Sequence, residues 1–277
     1  MHLDIKNNFL RCEENQKVWV IGDVHGCYKQ FMEILNSSQI AQTDIIIIIG
    51  DIIDRGPDSV KMLDWALENV NNGGKYLMIM GNHEQNIIED YTALLEEWYW
   101  KNKNSIDKGE MPIDYREQSI YDLGCEYDFC EYMERGGIIK IGQAEKYIDW
   151  MRTLPLYVKV KLPNEKTFVI AHGWFEGKLK SDGEIKPILS DDDIVWNRDI
   201  DSDYDLIKDD YHPMEDGEIL IHGHTPIPVI HGYRAKPAEP IFREHSVNID
   251  GGCFLGKKYG GRLIALCLND LKVLYSD

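Results

Sequence analysis

The stretch Ile45-Ile46-Ile47-Ile48-Ile49-Gly50-Asp51-Ile52-Ile53-Asp54-Arg55-Gly56 leads a run of β-branched residues straight into a glycine, two acids and an arginine. Five apolar residues are far too few to cross a bilayer and read as a buried strand. Glycine then allows a tight turn and a close backbone approach, so the acids are presented at the strand's end. The same pattern recurs on both sides. Val18–Ile21 runs into Gly22-Asp23-Val24-His25-Gly26, and 76–80 runs into Gly81-Asn82-His83-Glu84. Farther on, Thr167–Ala171 runs into His172-Gly173, and 218–221 runs into His222-Gly223-His224-Thr225.

Between the first three runs, Tyr28–Leu35 and 59–70 carry apolar residues at three- and four-residue spacing, which predicts helices. Strand alternating with helix implies right-handed crossovers and an α/β fold with a parallel or mixed sheet. Ligands in such sheets collect beyond the carboxyl ends of the strands, so all five motif loops are expected at one edge. At the C-terminal end, 246–250, 261–268 and 271–275 read as strands of an antiparallel meander, with Asn269-Asp270 as a turn. The stretch 91–137 is rich in Tyr, Trp, Glu and Asp, with a helical pattern around 94–100, and is expected to form a helical cap inserted in a single domain spanning 1–277. An acidic, polar loop is expected at 199–217.

Asp23, His25, Asp51, Asn82, His172 and His224 are residue types that bind divalent cations, and each follows a predicted strand. Imidazole suits manganese, iron, zinc and nickel, while carboxylate and amide oxygens add harder ligation. So many ligands exceed the needs of one ion and suit two, roughly 3.5–4 Å apart, with Asp51 placed in the series to bridge them. Ions of that kind make a nucleophile of water at neutral pH. The leaving oxygen then needs a proton. His83 is the expected general acid, with Asp54 to orient its ring. Arg55 offers a planar fork for phosphate oxygens, and Arg198 is a second candidate for that role.

Ordinary readings stand beside these. His2, His212, His231 and His245 are read as surface or core histidines, and His222 competes with His224 for ligation, the residue after the glycine being favoured. Glu84 reads as a helix-start residue favoured by the macrodipole. Asp250 reads as a structural acid or a support for a ligand. The six cysteines show no C-x-x-C pair or zinc-finger spacing and are expected as free, packed thiols.

The chain has 277 residues, 43% hydrophobic and 28% charged, ordinary values for a globular protein with one substantial core. Its formal net charge of −18 argues against a nucleic-acid polymer or an anionic membrane as partner. Attraction of a phosphate must then be local. Two divalent ions outweigh the carboxylates of Asp23 and Asp51 and would supply it. The N-terminus lacks the pattern of a signal peptide, which places the protein in the cytoplasm as an expectation.

G-D-x-H-G, G-D-x-x-D-R-G and G-N-H-E, followed by His172-Gly173 and Gly223-His224-Thr225, resemble the phosphoprotein phosphatase family of calcineurin-like metallophosphoesterases. The likeness is greatest to bacterial and bacteriophage-lambda-type serine/threonine phosphatases and to symmetrical diadenosine tetraphosphatases. It implies a β-sandwich flanked by helices, with manganese as the first choice and iron or zinc as alternatives. Asp23, His25 and Asp51 would hold the first ion, and Asp51, Asn82, His172 and His224 the second. His83 with Asp54 would be the acid pair, and Arg55 and Arg198 the phosphate-binding arginines. Arg135-Gly136-Gly137 and Asp250-Gly251-Gly252 depart from the Asn-Gly-Gly and Asp-Thr-Gly of many relatives. The expected reaction is hydrolysis of a phosphate monoester by metal-activated water, first of all on phosphoserine or phosphothreonine in proteins. The alternatives are symmetrical cleavage of dinucleoside tetraphosphates, against which Asp54 leans, and a metal-binding scaffold without catalysis.

Overall fold

A computed structural model describes residues 3–4, 8–70, 74–110, 112–123, 129–173, 177–179, 185–187, 195–196, 217–233 and 236–276. The strands, in chain order, are β1 (Leu3–Asp4), β2 (Phe9–Arg11), β3 (Val18–Ile21), β4 (Ile45–Ile48), β5 (Tyr76–Met78), β6 (Tyr157–Lys161) and β7 (Thr167–Ala171). They continue with β8 (Gly177–Leu179), β9 (Ile185–Pro187), β10 (Glu218–His222), β11 (Ile241–Phe242), β12 (Ser246–Asn248), β13 (Ile264–Cys267) and β14 (Val273–Tyr275). Among the described residues they form one mixed sheet in the order β1-β2-β6-β7-β10-β12-β11, a second in the order β14-β13-β3-β4-β5, and the separate pair β8-β9.

Alternation along the strands explains why two sheets face each other. Val18, Val20, Ile45, Ile47 and Ile49 point toward the other sheet and bury against Val158, Val160, Phe168, Ile170, Ile221 and Val247. Trp19, Ile21, Ile46 and Ile48 point the opposite way, into a helical layer. The isoleucine run therefore serves two cores at once. Each fully buried isoleucine contributes roughly 1.5–3 kcal/mol.

The helical layer starts with α1 (Tyr28–Leu35) and α2 (Ser59–Asn69), which bury Phe31, Ile34, Met62, Leu63 and Ala66. It continues with α3 (Asn82–Asp107), α4 (Phe129–Arg135) and α5 (Ile141–Met151). The helix expected around 94–100 is thus part of a longer one that begins inside the third motif. Ile87, Tyr91, Leu94, Phe129, Met133, Tyr147 and Ile148 join the same core as Trp19 and Ile46. Tyr147 donates from its hydroxyl to Asp64 Oδ1 at 2.6 Å, tying α5 to α2.

Two parallel series carry the motif loops. β3, β4 and β5 are parallel, so the loops after them leave one edge. In the other sheet β7, β10 and β12 are parallel, and their ends reach the same place. The edges touch: a Cβ built on Gly22 would lie 2.3 Å from the Ile249 carbonyl oxygen. The C-terminal meander needs correction. β13 and β14 form the expected antiparallel pair, but β12 lies in the other sheet, parallel to β10. Ser246, Val247 and Asn248 are all buried, so their faces give no sign of which sheet takes them. Among the described residues no helix is long and apolar enough to cross a membrane.

Candidate metal centre

The motif loops hold conformations that side-chain-bearing residues seldom adopt. His25, Asp51, Asp54, Arg55 and His224 have φ of 44°, 50°, 64°, 62° and 65°. Backbone bonds hold the first two loops together: His25 N–H donates to Asp51 O and Gly26 N–H to Ile52 O, each at 2.8 Å. Glycine is required where the third and fifth motifs close on the others. A Cβ on Gly81 would lie 2.3 Å from Asp51 Oδ1, and one on Gly223 would lie 2.1 Å from Asp23 Oδ1.

These loops bring six of the expected residues together. His25, Asp51 and His83 each bring one donor atom to within 4.8 Å of the others, and Asp51, His172 and His224 do the same. Asp51 belongs to both groups. Its Oδ2 lies 3.5 Å from His25 Nε2 and 3.3 Å from His172 Nε2. Asn82 Oδ1 is 3.0 Å from His172 Nε2 and 2.8 Å from His224 Nδ1. Asp23 joins the first motif to the last, its Oδ2 accepting from His224 N–H at 3.1 Å. His222 ends β10, while His224 is the residue grouped with Asp51 and His172.

The donor set fits divalent cations. His25 Nδ1 is 2.8 Å from Ile53 O, and His172 Nδ1 is 2.8 Å from Ile49 O. A proton donated from each Nδ1 leaves Nε2 as the atom of each ring that can give a lone pair to a cation once deprotonated, both of them close to Asp51 Oδ2 and that of His172 close to Asn82 Oδ1. Lone pairs converging from several sides call for positive charge between them. The burial of acids points the same way. Asp23 and Asp51 are buried, and Asp250 and Glu84 are buried beside them. Burial, and then the charge of Asp250, push Asp23 well above the usual carboxylate range. Burial acts the same way on Asp51, but His172, His83 and His25 around it outweigh burial and hold it well below. At His172 burial opposes the charged form, yet Asp51 and Asp23 reverse this and lift its pKa to about 10. Burial, followed by the effect of Arg55, holds His25 well below the usual imidazole value in spite of Asp51.

His83 and Asp54 form a buried pair, with His83 Nδ1 2.6 Å from Asp54 Oδ2. His83 Nε2 lies 3.9 Å from Asp51 Oδ2, on the same side as the candidate ligands. Arg55 is exposed at the rim, its NH1 2.7 Å from His25 Nε2. Arg198 lies outside the described residues, as do Cys125 and all of the acidic stretch 199–217 except Gly217.

Comparison with known proteins settles the family. The model of the calcineurin-like phosphoesterase family matches residues 16–256. This chain belongs to that family. It is a phosphoesterase, and so a hydrolase. A bis(5'-nucleosyl)-tetraphosphatase PrpE, described as asymmetrical, from Oceanobacillus iheyensis is 26% identical over 254 residues, covering 87% of this chain and 86% of that protein. Serine/threonine-protein phosphatase 1 of Salmonella typhimurium is 38% identical over 73 residues, 26% of this chain and 32% of its own length. A solved serine/threonine phosphatase from Saccharomyces cerevisiae superposes with a TM-score of 0.54 at 13% identity, covering 98% of this chain and 83% of that one. That likeness shows the fold alone.

One residue of the phosphoesterase does more than its sequence suggested. Glu84 opens α3, but its carboxylate also accepts N–H groups from Asp51 at 2.7 Å, Ile52 at 2.9 Å and Gly81 at 3.1 Å. It thereby ties the second motif loop to the third. Burial and the nearby charge of Asp51 nonetheless raise its pKa to about 7. Asp250 is fully buried, with Oδ1 accepting from Gly252 N–H at 2.9 Å and Oδ2 without a hydrogen bond among the described residues. Nothing local in sequence marks the loop-tying role of Glu84, because Asp51 and Ile52 lie 33 and 32 residues away, whereas Asp250 is the buried structural acid that its sequence suggested.

Proposed function

We propose that this phosphoesterase works with two divalent ions, manganese first, held by Asp23, His25 and Asp51 on one side and by Asp51, Asn82, His172 and His224 on the other. The observation that carries this reading is the membership of Asp51 in both donor groups, with His25 and His83 in one and His172 and His224 in the other. Such ions, when bound, supply positive charge for phosphoryl oxygens and make water acidic enough to act as a nucleophile near neutral pH. The remaining steps fall to the chain. Arg55 binds phosphate oxygens through the edge of its guanidinium. His83 delivers a proton to the leaving oxygen, while its bond to Asp54 fixes the ring. Burial raises Asp54 to about 6, while its bond to His83 pulls the other way and favours the carboxylate that accepts the Nδ1 proton. No phospho-enzyme is needed.

The substrate reading shifts with the relatives. Relatives matched over 86–88% of their length are named asymmetrical bis(5'-nucleosyl)-tetraphosphatases and one matched over 52% is named symmetrical, whereas the likeness to serine/threonine-protein phosphatase 1 covers 73 residues. A dinucleoside tetraphosphate is therefore the first substrate to test. The intact His83–Asp54 pair favours keeping phosphoserine and phosphothreonine as the second reading. We take the chain as one catalytic domain, with the stretch 91–137 bounding the site, since Tyr132 of α4 reaches the Arg55 carbonyl. Cys12, Cys27, Cys130, Cys253 and Cys267 are buried free thiols, which supports a reducing, cytoplasmic setting.

The test starts from chelator-stripped protein given p-nitrophenyl phosphate with and without manganese, followed by diadenosine tetraphosphate and a phosphopeptide. Manganese-dependent hydrolysis supports the two-ion reading. Release of a triphosphate and a monophosphate identifies asymmetrical cleavage, and two diphosphates identify symmetrical cleavage. Phosphopeptide turnover with neither of these moves the substrate to proteins. Two bound ions with no turnover of any substrate would leave the scaffold reading.

A further inference from the structure

We propose that Phe254 is a positioning residue for Arg55, the platform that aims the phosphate clamp of this site. The inference rests on the clamp assigned to Arg55 under the proposed function. Phe254 lies in the short turn Cys253–Leu255, directly after Gly252, whose φ of 60° swings the chain toward the first motif. The guanidinium carbon of Arg55 sits 4.7 Å from the centre of the Phe254 ring. The ring of His25 meets Phe254 edge-on, with centroids 5.1 Å apart and planes at 81°.

The arrangement answers a physical need. Arg55 is exposed, and an exposed arginine ranges over many rotamers that phosphate binding would have to freeze. A guanidinium over an aromatic face is held by the ring's quadrupole while its N–H edge stays free for an oxyanion. Its main chain is fixed as well. Arg55 takes a φ of 62°, and its carbonyl accepts from the Tyr132 hydroxyl of α4 at 2.8 Å. Phe254 itself is half-buried at the edge of the helical-layer core, so its ring is anchored below and open toward the arginine.

Manganese-loaded protein and inorganic phosphate test the inference, with binding read by calorimetry. Phe254→Leu keeps apolar bulk and removes the ring face. It is expected to weaken phosphate binding about 3- to 30-fold, the span of a cation–π contact. It should also raise KM for p-nitrophenyl phosphate more than it lowers kcat, with manganese content unchanged. Phe254→Tyr retains the ring and is expected to stay within about twofold of the parent. In an Arg55→Ala background, Phe254→Leu should weaken phosphate binding no further, which a merely structural role would not reproduce. Phosphate binding unchanged by Phe254→Leu, or weakened equally in both backgrounds, overturns the inference. Failure of the parent protein to bind phosphate overturns it too. Phosphate binding that depends on Phe254 without hydrolysis of any ester would uphold the platform and sink the proposed reaction instead.

Discussion

Gly81→Ala adds one methyl group at the closest approach between the second and third motif loops. Gly81 has φ of −102° and ψ of 169°, an extended backbone that alanine adopts without strain, so the effect is steric. The new Cβ would lie 2.3 Å from Asp51 Oδ1, 2.4 Å from Asp51 N and 2.7 Å from Glu84 Oε2. Ordinary contact begins near 3.5 Å, so Asp51 must retreat by about 1 Å. Its backbone nitrogen is among the crowded atoms, and a change of rotamer alone cannot relieve the clash. Overpacking of this kind costs about 1–3 kcal/mol, and stiffening of the unfolded chain returns about 0.4–1 kcal/mol of it. A net loss of about 1–2 kcal/mol leaves a typical domain folded. The site has far less tolerance, because metal ligands must sit within about 0.2 Å of their ideal distances. The expectation is a folded protein whose manganese affinity falls about 10- to 100-fold, read by calorimetry on stripped protein alongside urea melts. A variant that binds two manganese ions with the parent's affinity and turns over at the parent's rate would refute the placement of Asp51 at the centre of both groups.

Three further changes probe other levels of the structure. His83→Asn is expected to cut turnover of p-nitrophenyl phosphate about 10²-fold or more with manganese content unchanged; loss of metal would make His83 a ligand, as its grouping with His25 and Asp51 allows. Ile47→Ala empties a fully buried position between the sheets and should cost about 2–5 kcal/mol in denaturant unfolding; a cost under about 0.5 kcal/mol would contradict the two-sheet packing. Asp270 bonds to Lys17 at 2.7 Å, which holds its pKa at about 2 against an ordinary 3.8. Its contribution is therefore complete above about pH 4 and lost as pH falls through about 2, and because both side chains are more than 40% exposed it amounts to less than about 1 kcal/mol. Urea melts of Asp270→Asn should show less loss between pH 4 and pH 2 than the parent does, and parallel losses would rule the pair out.

Much of the candidate centre is legible in the sequence, for a local reason. In Gly22-Asp23-Val24-His25 and its counterparts, the strand, the turn and the polar side chain are neighbours in sequence, so a short window contains the whole signal. His83 and Asp54 were legible because each stands beside a residue already singled out. The role of Glu84 was not, since a helix-start glutamate looks the same whether it caps its own helix or also holds a loop from another strand. The placement of β12 was missed because a strand buried on both faces carries no mark of its partner. Nothing near Phe254 in the sequence points to Arg55, which lies about 200 residues before it.

By itself the sequence determined the strand-glycine-ligand units, the helices between them and the residue types at the centre, because periodicity and turn chemistry act over a few residues. Only the tertiary structure decided that β12 pairs with β10, that Glu84 ties the second motif loop to the third, and that Arg55 lies over the Phe254 ring. Each of these depends on contacts between residues far apart in the chain, made by burying both faces of the isoleucine strand, and no local pattern encodes which distant surface will meet it.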